Sequence, residues 1–104
     1  MLVDVMTGTE SQIEWAGRIK LQVDDEFDRV AACFRSVADR QINGKRMDTE
    51  AIIAILEDKR IEVLGRQNAG YFIRDWQEIG DQVRQMIVRD FRYQEIKTRK
   101  TVQE

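Results

Sequence analysis

The sequence predicts an all-α protein, and three observations carry that prediction. Apolar residues recur with a helical period between Thr9 and Ile42, and this segment contains no proline. Nothing within it alternates with the period of two that a strand requires. Two further segments repeat the helical period after glycine-containing breaks. We therefore expect one helical domain over residues 1–104, with three helices packed up-down-up and a long first helix.

The first helix is predicted over about residues 10–42. Thr9 followed by Gln12 fits a capping box, and Asn43-Gly44 provides a stop because glycine readily takes the left-handed conformation past a helix end. Such a helix is ~50 Å long at 1.5 Å per residue. A compact domain of this size has a radius of gyration of only ~13 Å. The first helix therefore extends beyond a globular core.

The second helix is predicted over about residues 49–64. Asp48 is a candidate N-cap after a polar connection at 44–46, with Met47 and Ile52 placed as a hydrophobic staple. Its apolar arc is broad and the helix is short, which suits a segment between two longer helices. Two glycines and an asparagine within residues 65–70 predict the next break.

The third helix is predicted over about residues 71–97. Its apolar face runs from Phe72 to Ile87, and Asp90 interrupts that face. The remaining residues, 98–104, are expected to fray.

The unequal helix lengths predict an exposed apolar surface on the first helix. Its stripe is about twice as long as the second helix, so a monomer leaves part of it uncovered, and such surfaces usually mark an interaction site. We expect a homodimer that completes the core, and a non-catalytic protein-interaction or assembly module. The candidate interaction residues are Trp15, Ile19, Val23, Phe27 and Tyr71.

Composition argues against an enzyme. The chain has no histidine, so triads and dyads that use imidazole as the general base are excluded. A lone cysteine, Cys33, cannot supply a structural zinc site or an intrachain disulfide. We interpret Cys33 as a small buried hydrophobe beside Phe34 and Val30, in preference to a reactive thiol. No catalytic residue, metal site or cofactor is expected.

The densest acidic cluster comprises Asp24, Asp25 and Asp28. Carboxylates can hold magnesium or calcium, but these three spread over about 100° of the outward helix face. A solvated helix surface is the preferred interpretation, with a metal site as the alternative.

The densest basic region spans residues 84–100 and is the basis of the alternative function. Phosphate attraction and stacking on Phe91 and Tyr93 would suit a nucleic acid, whereas cations near a helix end also complement its dipole. The nucleic-acid candidates are Arg84, Arg89, Arg92, Lys97, Arg99 and Lys100.

Both tryptophans fall on the apolar sides of their helices. Trp15 and Trp76 are therefore expected to share an aromatic cluster with Phe27, Phe34 and Phe72. Tyr71 lies at the edge of that cluster, where a partner can reach it.

Charge and hydropathy favour a cytoplasmic protein. Seventeen basic and nineteen acidic residues give a net charge of −2, which provides no general attraction to nucleic acid or an anionic membrane. We find no secretory signal and no apolar run that could cross a membrane.

Residues 7–20 read Thr-Gly-Thr-Glu-Ser-Gln-Ile-Glu-Trp-Ala-Gly-Arg-Ile-Lys. This string resembles a recurring opening in short uncharacterised bacterial proteins, Thr-Gly-Ser/Thr-x-Lys-Gln-Ile-x-Trp-Ala-x-x-Ile-Arg. Ser11 stands where lysine is usual. The later string Tyr71-Phe72-Ile73 is similar to their aromatic pair but lacks its tryptophans. The resemblance implies a helical protein and carries no assigned activity.

Overall fold

The computed structural model describes the backbone of residues 6–103 and the side chains of residues 6–99. This part of the chain forms five α-helices and no strand, which confirms the all-α prediction. The helices are α1 (Glu10–Ala38), α2 (Asn43–Leu64), α3 (Ala69–Asp75), α4 (Ile79–Arg89) and α5 (Phe91–Gln103).

The start of α1 confirms the predicted capping box. Thr9 Oγ1 accepts a hydrogen bond from the Gln12 backbone N–H at 3.2 Å, and Gln12 Oε1 accepts one from the Thr9 N–H at 2.9 Å. The helix ends at Ala38, four residues before the predicted end. Arg40 and Gln41 donate their backbone N–H groups to carbonyls three residues earlier, and this tighter turn closes the helix.

The predicted start of the second helix was wrong. α2 begins at Asn43, which has a φ of 56°, directly after the extended residue Ile42. Asparagine is among the few residues other than glycine that take this conformation readily. The 44–46 segment is therefore helical and not a connection. Asp48 lies inside α2, where its carboxylate accepts from Arg99 at 3.1 Å and does not cap.

The single helix predicted over residues 71–97 is three helices. At the first break the Gln82 side chain accepts from the Glu78 N–H at 2.9 Å and donates to the Asp75 carbonyl. At the second break Asp90 is extended, and its carboxylate accepts from the Arg92 N–H at 2.9 Å. Side chains thus form hydrogen bonds with backbone groups that would be bonded to each other within a continuous helix. α5 continues to Gln103, through most of the tail that was expected to fray.

The core lies where α1 crosses α2, α3 and α4. Phe27 of α1 meets Trp76 with ring centroids 6.3 Å apart, and Phe72 of α3 is fully buried beside them. Other core members are Ala16, Val23, Ala31, Ile52, Leu56, Val63, Val83 and Ile87. These are mainly the apolar positions that the helical period had marked.

Ion pairs show how the helices run against one another. Arg60, near the end of α2, binds Asp24 and Asp28 of α1. Thr49, near the start of α2, donates to the Gln41 side chain just after α1 ends. The two helices are therefore antiparallel. Arg92 and Arg99 of α5 bind α2 at Asp58 and Asp48, at 2.7 and 3.1 Å.

The described chain is elongated, with extents of 53 × 24 × 23 Å and a radius of gyration of 16.2 Å. In the part that the structure describes, the backbone of α5 lies close to α2 and α4 and further from α1. The C-terminal third of α1 therefore lacks a cover on one side.

Candidate interaction groove

An open groove of about 360 Å³ lies between α1 and the α4–α5 junction. We call it the α1–α4 groove. Its residues are Arg29, Val30, Cys33 and Phe34 from α1, Arg84, Ile87 and Val88 from α4, and Tyr93 from α5. The volume falls within the range of ~300–1,000 Å³ that is typical of binding pockets.

The groove exists because α4 is shorter than the apolar stripe of α1. α4 ends at Arg89, and the chain then turns at Asp90 toward α2. The stripe continues to Val37, which remains 38% exposed. The apolar floor is therefore core-like surface that nothing in the described chain covers.

The rim of the groove is cationic. Arg29 binds Glu26 through Nε at 2.8 Å, and Glu26 is only 15% exposed because Gly80 of α4 passes beside it. The hydrogen bond from Arg29 lowers the pKa of Glu26, burial opposes that shift, and the charge of Arg84 adds to it. The guanidinium groups of Arg29 and Arg84 both line the groove near this one carboxylate, which leaves a net positive charge at the rim.

The prediction that Cys33 is buried was wrong, because the structure exposes this residue. Cys33 lies at the edge of the apolar arc, and that edge would be covered only if α4 extended further. Its thiol instead forms part of the groove wall.

The predicted interaction residues divide into a surface group and a core group. Trp15 is 56% exposed and does not join the Phe27–Trp76 pair, so its predicted place in the aromatic cluster was wrong. Val23 and Phe27 are fully buried and present no surface in this chain. Ile19 is half-buried against the core.

Tyr71, the fifth predicted interaction residue, lies at the core edge. Its ring stands edge-on to Phe72, with centroids 5.1 Å apart, and the Arg66 guanidinium lies 4.9 Å from its centroid. Tyr71 is therefore half-buried and already in contact on two sides.

The predicted nucleic-acid residues do not form one surface. Arg84 lines the α1–α4 groove, whereas Arg89 lines a separate hollow with Trp76 and Met86. Lys97 lies 5.3 Å from the centroid of the Tyr93 ring.

The other members of that set are engaged with α2 or lie outside the described side chains. Arg92 and Arg99 are held by carboxylates of α2, which offset their charge. The Lys100 side chain is outside the described part. Nucleic-acid binding by residues 84–100 stays a prediction that this arrangement does not favour.

A buried charge network fastens the α4–α5 junction to α2. The Asp90 side chain is 6% exposed and binds Arg92 at 3.0 Å and Lys59 at 3.4 Å. These contacts, led by the Arg92 hydrogen bonds, hold the pKa of Asp90 well below its usual range. Sequence reasoning found Asp90 only as an interruption, because its partner Lys59 is distant in the chain.

The acidic cluster on α1 is largely engaged. Asp24 and Asp28 both bind Arg60, while Asp25 faces solvent. Within residues 6–99, the structure brings no three acidic or cysteine side chains close enough to hold a metal ion. Among the described helices, none has the length and apolar character to cross a membrane.

Comparisons with known proteins returned no match: no family model, no curated protein and no solved structure is similar to this chain. The resemblance of residues 7–20 to short uncharacterised bacterial proteins therefore stays a prediction.

Proposed function

We propose that this protein is a non-catalytic interaction module that works as a homodimer and docks through the α1–α4 groove. One observation carries the proposal. The apolar stripe of α1 continues to Val37, whereas α4 stops at Arg89 and α5 leaves for α2. Contiguous apolar surface of this kind usually marks a binding site.

The shape of the chain supports self-association. A long side of 53 by 24 Å exceeds the ~800 Å² that each partner contributes to a standard interface. The net charge of −2 adds little repulsion between copies. In the proposed assembly, α1, α2 and the α3–α5 run form an up-down-up bundle in each chain, and the second copy completes the core.

A cytoplasmic location belongs to the same proposal. The exposed thiol of Cys33 would remain free in a reducing compartment, whereas an oxidising one would favour its modification.

Sedimentation equilibrium of a matched pair of variants tests the proposal. Val37→Glu places a charge beside the groove, at a side chain that is 38% exposed. Leu21→Glu places the same charge on another face of α1, where the side chain is 67% exposed. Neither position belongs to the buried core, so both variants should fold.

The wild-type protein and Leu21→Glu should sediment at twice 12.3 kDa at micromolar concentration, and Val37→Glu should sediment as a monomer. A monomeric wild-type protein at 100-fold higher concentration would refute self-association. Dimers of all three proteins would refute the groove as the docking surface.

A further inference from the structure

Trp15 is a large aromatic side chain that the chain leaves exposed away from the groove. It is 56% exposed and lies near the N-terminal end of α1. An exposed tryptophan on a rigid helix is unusual, and tryptophan is enriched among the residues that dominate binding energy.

Trp15 and the groove share one face of α1. Cys33 follows Trp15 by eighteen residues, which is about five helical turns, so the two side chains point in the same direction. They are separated by ~27 Å along the axis at 1.5 Å per residue. Trp15 and the α1–α4 groove therefore lie on the same side of α1.

In a two-fold dimer, this spacing can place Trp15 of each copy at the groove of the other. In a two-fold dimer the same patch serves both copies, so residue i contacts residue j and residue j contacts residue i. If the axis passes near the midpoint between Trp15 and Cys33, each Trp15 lies opposite the groove of the other copy. Two equivalent contacts form at once.

We propose that in the homodimer each Trp15 inserts into the α1–α4 groove of the second copy, beside Cys33. This inference rests on the proposed function and adds the identity of the occupant.

The chemistry of the two surfaces is complementary. The indole is largely apolar apart from its Nε1–H donor, and the groove floor of Phe34, Ile87 and Val88 is apolar. Glu14 precedes Trp15 and carries the charge opposite to the cationic rim. Glu14 now binds Arg18 at 2.7 Å, but both side chains are at least two-thirds exposed, and such pairs contribute only ~0–1 kcal/mol. Glu14 is therefore free to exchange partners.

Two other exposed apolar residues, Leu21 and Phe91, do not meet this geometry. Leu21 is displaced from Trp15 by about 120° around α1 at 100° per residue. Phe91 lies at the start of α5 and so is not carried on the face of α1 that bears Trp15. When a two-fold axis places the Trp15 side of one α1 against the groove of the second copy, Leu21 points away from that groove.

Cross-linking between two distinguishable variants tests the inference. Ser11 is exposed and lies one turn before Trp15, so Ser11→Cys, combined with Cys33→Ser, places a thiol beside Trp15 and leaves the indole in place. This variant is mixed with tagged wild-type protein, whose sole cysteine is Cys33, and treated with a short bismaleimide. The control replaces Ser11→Cys with Leu21→Cys.

Heterodimeric cross-links should form with Ser11→Cys and be at least tenfold weaker with Leu21→Cys. Adding Trp15→Ala to the Ser11→Cys variant removes one of the two equivalent contacts in the heterodimer and should weaken the cross-links. Trp15→Ala alone should weaken the dimer by ~30-fold or more, which corresponds to a binding hot spot. Because Trp15 lies outside the core, the urea midpoint of the monomer should stay within experimental error.

The outcomes separate the two proposals. A dimeric protein that gives equal cross-links from both cysteine positions, or none from Ser11→Cys, overturns Trp15 insertion and leaves the proposed dimer standing. A protein that is monomeric throughout overturns both.

Discussion

Replacing Asp90 with asparagine tests whether a buried carboxylate fastens the α4–α5 junction to α2. Asp90 accepts from the Arg92 N–H at 2.9 Å, from the Arg92 guanidinium at 3.0 Å and from Lys59 at 3.4 Å. Asparagine can keep the backbone contact, but it loses the charge and turns an N–H group toward cationic donors. Hydrogen bonds to charged groups contribute ~1.5–3 kcal/mol, so we expect Asp90→Asn to lower the free energy of unfolding by about 2 kcal/mol at pH 7.

The stabilisation that Asp90 provides should depend on pH. The pKa of Asp90 is lowered in the folded state, so its contribution is fully present above the unfolded pKa of ~3.9 and is lost as pH falls through the folded pKa. Urea unfolding followed by circular dichroism should show a constant difference between wild type and Asp90→Asn from pH 7 to about pH 5. The difference should narrow only below ~pH 4. A difference under ~0.5 kcal/mol at pH 7 would refute the role assigned to this carboxylate.

Three further variants and one thiol reagent test other parts of the fold. Gly8→Ala should destabilise the protein by ~1–3 kcal/mol, because Gly8 has a φ of 146° and an added Cβ would lie 3.1 Å from the Ala69 Cβ. Its control, Gly17→Ala, meets nothing within 4 Å inside α1 and should stabilise the protein by ~0.5–1 kcal/mol; equal effects in urea unfolding would contradict both expectations. Phe27→Ala should cost ~3–5 kcal/mol, since its side chain is fully buried, and a loss under ~1 kcal/mol would place Phe27 outside the core. Cys33 should react with a thiol reagent at a nearly unfolded-state rate when the protein is dilute, and strong protection there would contradict its exposure.

Local signals in the sequence were sufficient for much of the helical framework. The capping box at Thr9 and the break after Leu64 depend on residues within a few positions of each other, and both appeared where the pattern indicated. The helical period also identified the buried faces, because burial of one face is what creates the period.

The remaining features depend on contacts that a linear pattern does not contain. The helix over residues 71–97 was predicted as continuous, with Asp90 only an interruption of its apolar face. In the structure the side chains of Gln82 and Asp90 bind backbone groups where one helix ends and the next begins. Cys33 and Trp15 were placed in the core because both lie on the apolar arc of the first helix, although part of that arc was expected to stay uncovered. Which part of an arc is covered depends on where the partner helix stops.

The contact between Thr7 and Asn68 has a consequence for the dynamics of the chain. The Ala69 N–H donates to the Thr7 carbonyl at 2.9 Å, and the Thr7 N–H donates to the Gln67 carbonyl. These bonds close a loop of about sixty residues and hold the start of α3, a seven-residue helix that is too short to persist alone. Breaking these two backbone hydrogen bonds would release α3 and uncover Phe27. Hydrogen exchange of the Thr7 and Ala69 amides should therefore report the opening of the aromatic core as one cooperative event.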